Sequence, residues 1–195
     1  MDIQEDWRRE YRIALETPRL LLRPLIAGDE DWLIQLFTDP EVNRFLQDGA
    51  CSLEQAKKAA EAVVYLDLHR CHFGCWAIQD KATGAIHGWT ELSKLRPWSG
   101  PSDEIGLSYV LGRAAWGRGI ATEAAARLLQ HAFDVNQLDR VMAVIMAGNT
   151  ASKRVLEKLE MRPVQDADAA ERPNLEYFSI DAPIDPEVDA SAVAR

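Results

Sequence analysis

Nothing in this chain restricts its fold more than the stretch that follows Glu104. Glu104–Leu111 is a strand-like run, and two glycines, Gly117 and Gly119, come soon after it. Directly behind them Ile120, Ala121, Ala124, Ala125, Leu128, Leu129, Ala132 and Phe133 fall on one stripe of a 3.6-residue helix. Phe73–Asp80 and Ala85–Leu92 are two more strand-like runs, separated by Lys81-Ala82-Thr83-Gly84, with Arg96–Ser102 before the third. Behind the helix, Leu138–Met146 reads as a strand, and Asn149 as the N-cap of a helix carrying Val155, Leu156 and Leu159. Asn174–Asp181 reads as a last strand. Three hairpin-joined strands feeding a strand–helix–strand unit require a mixed sheet.

The amino-terminal part completes the order. Arg19–Leu25 reads as a short strand, and Asp29 is placed to cap a helix bearing Trp32, Leu33, Leu36 and Phe37, stopped by Asp39-Pro40. Ser52-Leu53-Glu54-Gln55 has the form of a capping box, and Ala56, Ala59, Ala60, Val63 and Leu66 mark one face of the longer helix behind it. The expected order is β-α-α-β-β-β-α-β-α-β, with an extra strand near Met161–Gln165. That is an α+β (mixed α/β) fold, a mostly antiparallel sheet of six to seven strands flanked by about four helices. At 195 residues one domain is expected, 1–195, with a core of about 16–181 and an acidic, frayed tail at 183–195.

Composition excludes several classes of function. No apolar run approaches a membrane span, and the acidic start Met1-Asp2-Ile3-Gln4-Glu5-Asp6 has no secretory h-region. Cys51, Cys71 and Cys75 follow no disulfide framework, so a reducing, cytoplasmic setting is expected. A net charge of −9 argues against nucleic acid. The charge is uneven. Gln165–Arg195 has eight acids against two bases, whereas Gly112–Arg162 has eight bases against five acids. His69, Cys71, His72 and Cys75 invite a metal, but their spacing has no partner pair elsewhere, and packed thiols are the expected state. His87 and Trp89 are read as packing residues.

The glycine turn carries the strongest chemistry. Glycines there let the backbone take positive φ and pass close to a ligand, and a helix N-terminus suits a pyrophosphate. Arg113 and Arg118 add charge to the same turn. The plain alternative is a tight βα turn needing glycine for geometry alone. A P-loop is rejected because Ile120-Ala121 stand where Lys-Ser or Lys-Thr belong. A dinucleotide motif needs Gly or Ala where Thr122 stands and usually opens its domain, so despite Asp139 about 20 residues beyond it is kept only as a distant alternative.

Trp116-Gly117-Arg118-Gly119-Ile120-Ala121-Thr122-Glu123-Ala124 resembles the acetyl-coenzyme A loop of the GNAT acetyltransferases. The resemblance is to the branch holding the ribosomal-protein N-terminal (alanine/serine) acetyltransferases. Glu16-Thr17-Pro18-Arg19-Leu20-Leu21-Leu22-Arg23, Glu104-Ile105-Gly106 and Asn149-Thr150-Ala151-Ser152 support it, in order, over roughly residues 16–181. One departure is Ala114, where the family often has Gln or Arg; Arg113, one residue earlier, is the available substitute.

The resemblance implies a GNAT fold and acetyl-CoA as cosubstrate. It places pantetheine along Tyr109, Val110 and Leu111, with the pyrophosphate on Gly117, Arg118, Gly119, Ile120, Ala121 and Thr122. Asn149 would hold the pantetheine arm and Ser152 would lie near the sulfur. Direct transfer needs a base for the ammonium, for which Glu104 is the candidate, and an acid for the thiolate, for which Ser152 is the candidate. A solvent-facing strand carboxylate and a helix N3 serine are their plainer alternatives. Asp39–Cys51 would wall the acceptor site. The expected partner is an amine acceptor, a cationic peptide N-terminus or a small amine such as an aminoglycoside or polyamine. No nucleic acid or membrane is expected, and the protein would be a monomer or homodimer. The rival function is a non-catalytic acyl-CoA sensor.

Overall fold

The computed structural model describes residues 13–46, 49, 51–66, 74–95, 103–164 and 172–183. Strand β1 is Leu15–Glu16 and β2 Leu20–Pro24; helix α1 is Glu30–Thr38 and α2 Leu53–Glu61. Strands β3 (Gly74–Asp80), β4 (Ile86–Lys94) and β5 (Ile105–Leu111) follow. Then come α3 (Ile120–Asp134), β6 (Arg140–Met146), α4 (Thr150–Lys158), β7 (Arg162–Val164) and β8 (Leu175–Asp181). The eight strands form one sheet in the order β1-β2-β3-β4-β5-β6-β8-β7. The sheet is mixed, as expected; β1, a two-residue addition outside the expected run, brings it to eight strands.

Every neighbouring pair is antiparallel except β5 and β6, whose parallel register is confined to Gly106 with Met142. A parallel neighbour needs a crossover, and α3 supplies it. Alternation along the strands then builds two cores. Leu20, Leu22, Trp76, Ile78, Leu92, Leu107 and Leu111 face the α3 stripe, of which Ile120, Ala124, Ala125, Leu128, Leu129 and Ala132 are buried. On the other side Trp89 and Val110 pack with Leu33, Leu36 and Phe37 of α1 and Ala56 and Ala60 of α2. β4 and β5 approach so closely that a Cβ on Gly88 would lie 2.0 Å from the Val110 carbonyl oxygen. Glycine is required there.

Local signals behave as their chemistry dictates, with two exceptions. Ser52 and Gln55 form the reciprocal capping box, and Asn149 Oδ1 accepts the Ser152 N–H at 3.1 Å. The α2 stripe does not remain α-helical to its end: Ala62–Leu66 widens into a π turn. Asp29 is not a side-chain cap. Its carboxylate instead accepts from both Arg23 Nη atoms, from Trp32 Nε1 and from the Ile26 N–H, each at 2.8 Å. A forked guanidinium outcompetes a helix N–H for a carboxylate that is only 3% exposed. His69, Cys71, His72 and the tail beyond Pro183 lie outside the described residues. Among the described residues no group of three or more possible metal ligands gathers, and no helix is long and apolar enough to cross a membrane.

Two stability predictions follow from buried polar groups. Burial alone would raise the Asp29 carboxyl, but Arg23, Trp32 Nε1–H and the Ile26 amide outweigh it and hold it below the ordinary value. Asp29→Ala strands the Arg23 charge, so chemical denaturation should show a loss of about 3 kcal/mol. Burial, reinforced by Arg127, lowers the basicity of His131, which meets Trp76 edge-on at 5.8 Å between ring centroids. The unfolded chain therefore takes up this proton first, near the ordinary histidine value of 6.5. Stability should fall as pH drops below that value. His131→Leu should flatten this limb in denaturant titrations between pH 7 and 5.

Candidate functional site

Past Gly106 and Met142, β5 and β6 share no further registered pair, and a cavity of about 480 Å³ opens beside the C-terminal half of β5. That is the size of a pocket for a small ligand. Tyr109, Val110 and Leu111 of β5 line it, as do Gly117, Gly119, Ile120, Ala121 and Thr122 from the turn and the start of α3. Asn149 and Ser152 line it from the start of α4. Ten of the thirteen residues expected to form a site thus border one cavity.

The turn has the geometry an anion needs. Gly117 and Gly119 adopt left-handed φ of +71° and +76°. A Cβ on Gly117 would meet no atom within 4 Å, so the backbone there is open to approach. Asn149 uses its amide oxygen to cap α4 and not its amide nitrogen, which keeps two N–H donors. Tyr109 Oη donates to the Ser152 carbonyl at 3.3 Å, tying β5 to α4 across the cavity. Burial pushes the Tyr109 phenol up to about 12, against a smaller lowering by the Ser152 side chain, so it stays protonated at neutral pH.

Three expected residues stand apart. Arg113 Nε donates to Asp39 Oδ2 at 2.8 Å, and neither it nor Arg118 is among the cavity-lining residues. Arg118 folds back toward the Ala114 carbonyl, Nη1 to oxygen 3.4 Å. Arg113, next to the departure at Ala114, is thus paired with Asp39 in this structure. Glu104 is exposed, just ahead of β5 and five residues before Tyr109, about 16 Å along an extended strand. It does not line the cavity.

The loop after α1 does reach the site. Asp39 accepts from Arg113 and from the backbone N–H groups of Glu41 and Val42, which bends the chain so that Glu41, Val42, Arg44, Phe45 and Leu46 form one wall. Trp116, Arg154 and Lys158 also line the cavity, without having been expected to. The available signal was spacing on α4, where Ala151, Arg154, Val155 and Lys158 recur at helical intervals on one face. Arg44, Arg154 and Lys158 against Glu41 make the lining net basic, and the donor set and glycine turn fit an anionic ligand.

Comparison with known proteins agrees with this geometry. The acetyltransferase (GNAT) domain model matches residues 19–162. The uncharacterized N-acetyltransferase p20 of Bacillus licheniformis is 31% identical over 150 residues, covering 76% of this chain and 82% of that protein. The FsC-acetyl coenzyme A-N(2)-transacetylase of Aspergillus fumigatus is 30% identical over 153 residues, covering 73% of this chain and 62% of that protein. A GNAT-family acetyltransferase structure from Bacillus anthracis superposes with a TM-score of 0.72 at 19% identity, covering 87% of this chain and 98% of the other. A Vibrio cholerae structure, provisionally named a ribosomal-protein-serine acetyltransferase, does so at 0.65 and 17%, covering 88% and 98%; at that identity it speaks for the fold alone. With the family model spanning most of the sequence and a relative at 31% identity named as an N-acetyltransferase, the chain belongs to the GNAT acetyltransferase family and is an acyltransferase.

Proposed function

We propose that this chain, read as one cytoplasmic catalytic domain, moves an acetyl group from acetyl-CoA to a primary amine by direct transfer in a ternary complex. The observation that carries this reading is the convergence on one cavity of β5's C-terminal half, the left-handed glycine turn and the capped start of α4. The Aspergillus relative's name adds support for the coenzyme.

Acetyl-CoA supplies an activated thioester, and what remains for the protein is placement and proton handling. Backbone N–H groups at the start of α3 receive the pyrophosphate, with Arg154 and Lys158 adding positive charge along α4. The edge of Tyr109–Leu111 and the Asn149 amide hold the pantetheine arm. Ser152 protonates the leaving thiolate, with the protonated Tyr109 hydroxyl beside it. Glu104 takes the amine proton through bridging water, since it stands outside the cavity lining. The Glu41–Leu46 wall meets the acceptor, a peptide N-terminus or a small-molecule amine.

Isothermal titration with CoA, followed by thiol-release assays across N-terminal peptides, polyamines and aminoglycosides, tests the proposal. Binding together with release for one acceptor class is expected; absence of CoA binding overturns it, and binding without turnover on any amine favours the sensor. Ser152→Ala and Glu104→Gln should each lower kcat about a hundredfold while leaving CoA affinity within about twofold. A variant with unchanged kcat removes that residue from proton transfer.

A further inference from the structure

Arg19 and Glu123 sit in two separate motifs of the family resemblance, and neither lines the cavity. The fold joins them across 104 positions. Glu123 Oε2 accepts from Arg19 Nε and Nη2, each at 2.6 Å. Its Oε1 accepts from the Arg19 backbone N–H at 3.1 Å and from the Thr17 hydroxyl at 2.5 Å. Arg19 Nη1 has a further partner, the backbone carbonyl of Arg118, at 3.1 Å. Nη2 lies 3.5 Å from the position a Cβ would take on Gly119. One guanidinium therefore grips the first turn of α3 and the glycine turn ahead of it. Only a forked donor can hold both at once, and a lysine ammonium has no such fork.

Two consequences reach the cavity. In a trans peptide the carbonyl and the N–H point in opposite directions. Drawing the Arg118 carbonyl toward Arg19 turns the N–H of Gly119 away from it, and Gly119 borders the cavity. The second consequence is electrostatic. A carboxylate in the first turn suits the helix dipole, but it opposes any other anion bound at the same terminus. Arg19 neutralises Glu123 at contact distance and leaves the N–H groups to act on the ligand.

We infer that Arg19, held by Glu123, is a positioning residue that sets the 118–119 peptide so that the Gly119 N–H faces the pyrophosphate of the coenzyme. This rests on the coenzyme reading above. Arg19 touches no reacting atom; it acts through the backbone.

The test compares two ligands that differ by the nucleotide diphosphate. CoA is titrated by calorimetry and pantetheine by saturation-transfer NMR, against wild type, Arg19→Gln and Arg19→Lys. Arg19→Gln should weaken CoA about tenfold and pantetheine less than twofold. Arg19→Lys keeps a charge beside Glu123 but loses the fork, so it should remain at least about threefold weaker for CoA; it carries the test alone if the glutamine variant is too unstable to titrate. Equal losses for both ligands would assign Arg19 a general structural role and overturn the inference, as would unchanged CoA affinity in Arg19→Lys. A wild-type protein that does not bind CoA overturns the coenzyme reading itself, whereas normal wild-type binding with unaffected variants overturns the clamp alone.

Discussion

The single parallel junction in an otherwise antiparallel sheet governs the rest of this structure. Hairpins bring β3, β4 and β5 together, but β6 arrives beside β5 only after the α3 crossover. Their register is limited to Gly106 with Met142, so the C-terminal half of β5 leaves the ladder on that side. Strand backbone outside a ladder still has hydrogen-bonding groups to satisfy, and a ligand lying along it can do so. The cavity is thus a product of sheet geometry. The glycine turn and the start of α4 follow directly from β5 and β6, and connectivity alone delivers both to the gap.

The two cores have different relations to that gap. The α3 side is rigidly filled by a continuous stripe of small and aliphatic residues. On the α1/α2 side the chain leaves α1 at Asp39 and is turned by that carboxylate, which also holds Arg113 beyond β5. Arg113 is largely exposed, so this pair adds little stability. Its effect is geometric, because it fixes one wall of the cavity relative to the strand that forms another.

Period and turn chemistry were legible along the chain. The α3 stripe, the Ser52–Gln55 box, the Asn149 cap and the Lys81–Gly84 turn all rest on residues within a few positions of one another, and local spacing determines them. Ion pairing was not legible. Asp29 has the composition of a cap but is taken by Arg23, and Arg113 has the composition of an anion ligand but is taken by Asp39. Charged side chains are long and seek the best partner within reach, and reach is set by the folded chain. The same reason hid Arg154 and Lys158, ordinary surface cations until the helix that bears them faces the cavity.

By itself, then, the sequence determined the order of elements, the mixed character of the sheet, the glycine turn before α3 and the family resemblance. All of these depend on side-chain period or on short contiguous motifs. Tertiary structure alone decided that β5 and β6 separate after one pair and that ten expected residues border the same cavity while Glu104, Arg113 and Arg118 do not. It also decided that Arg19 reaches the glycine turn through Glu123. Those outcomes depend on distances between residues far apart in the chain, which hydrophobic periodicity does not encode and packing does.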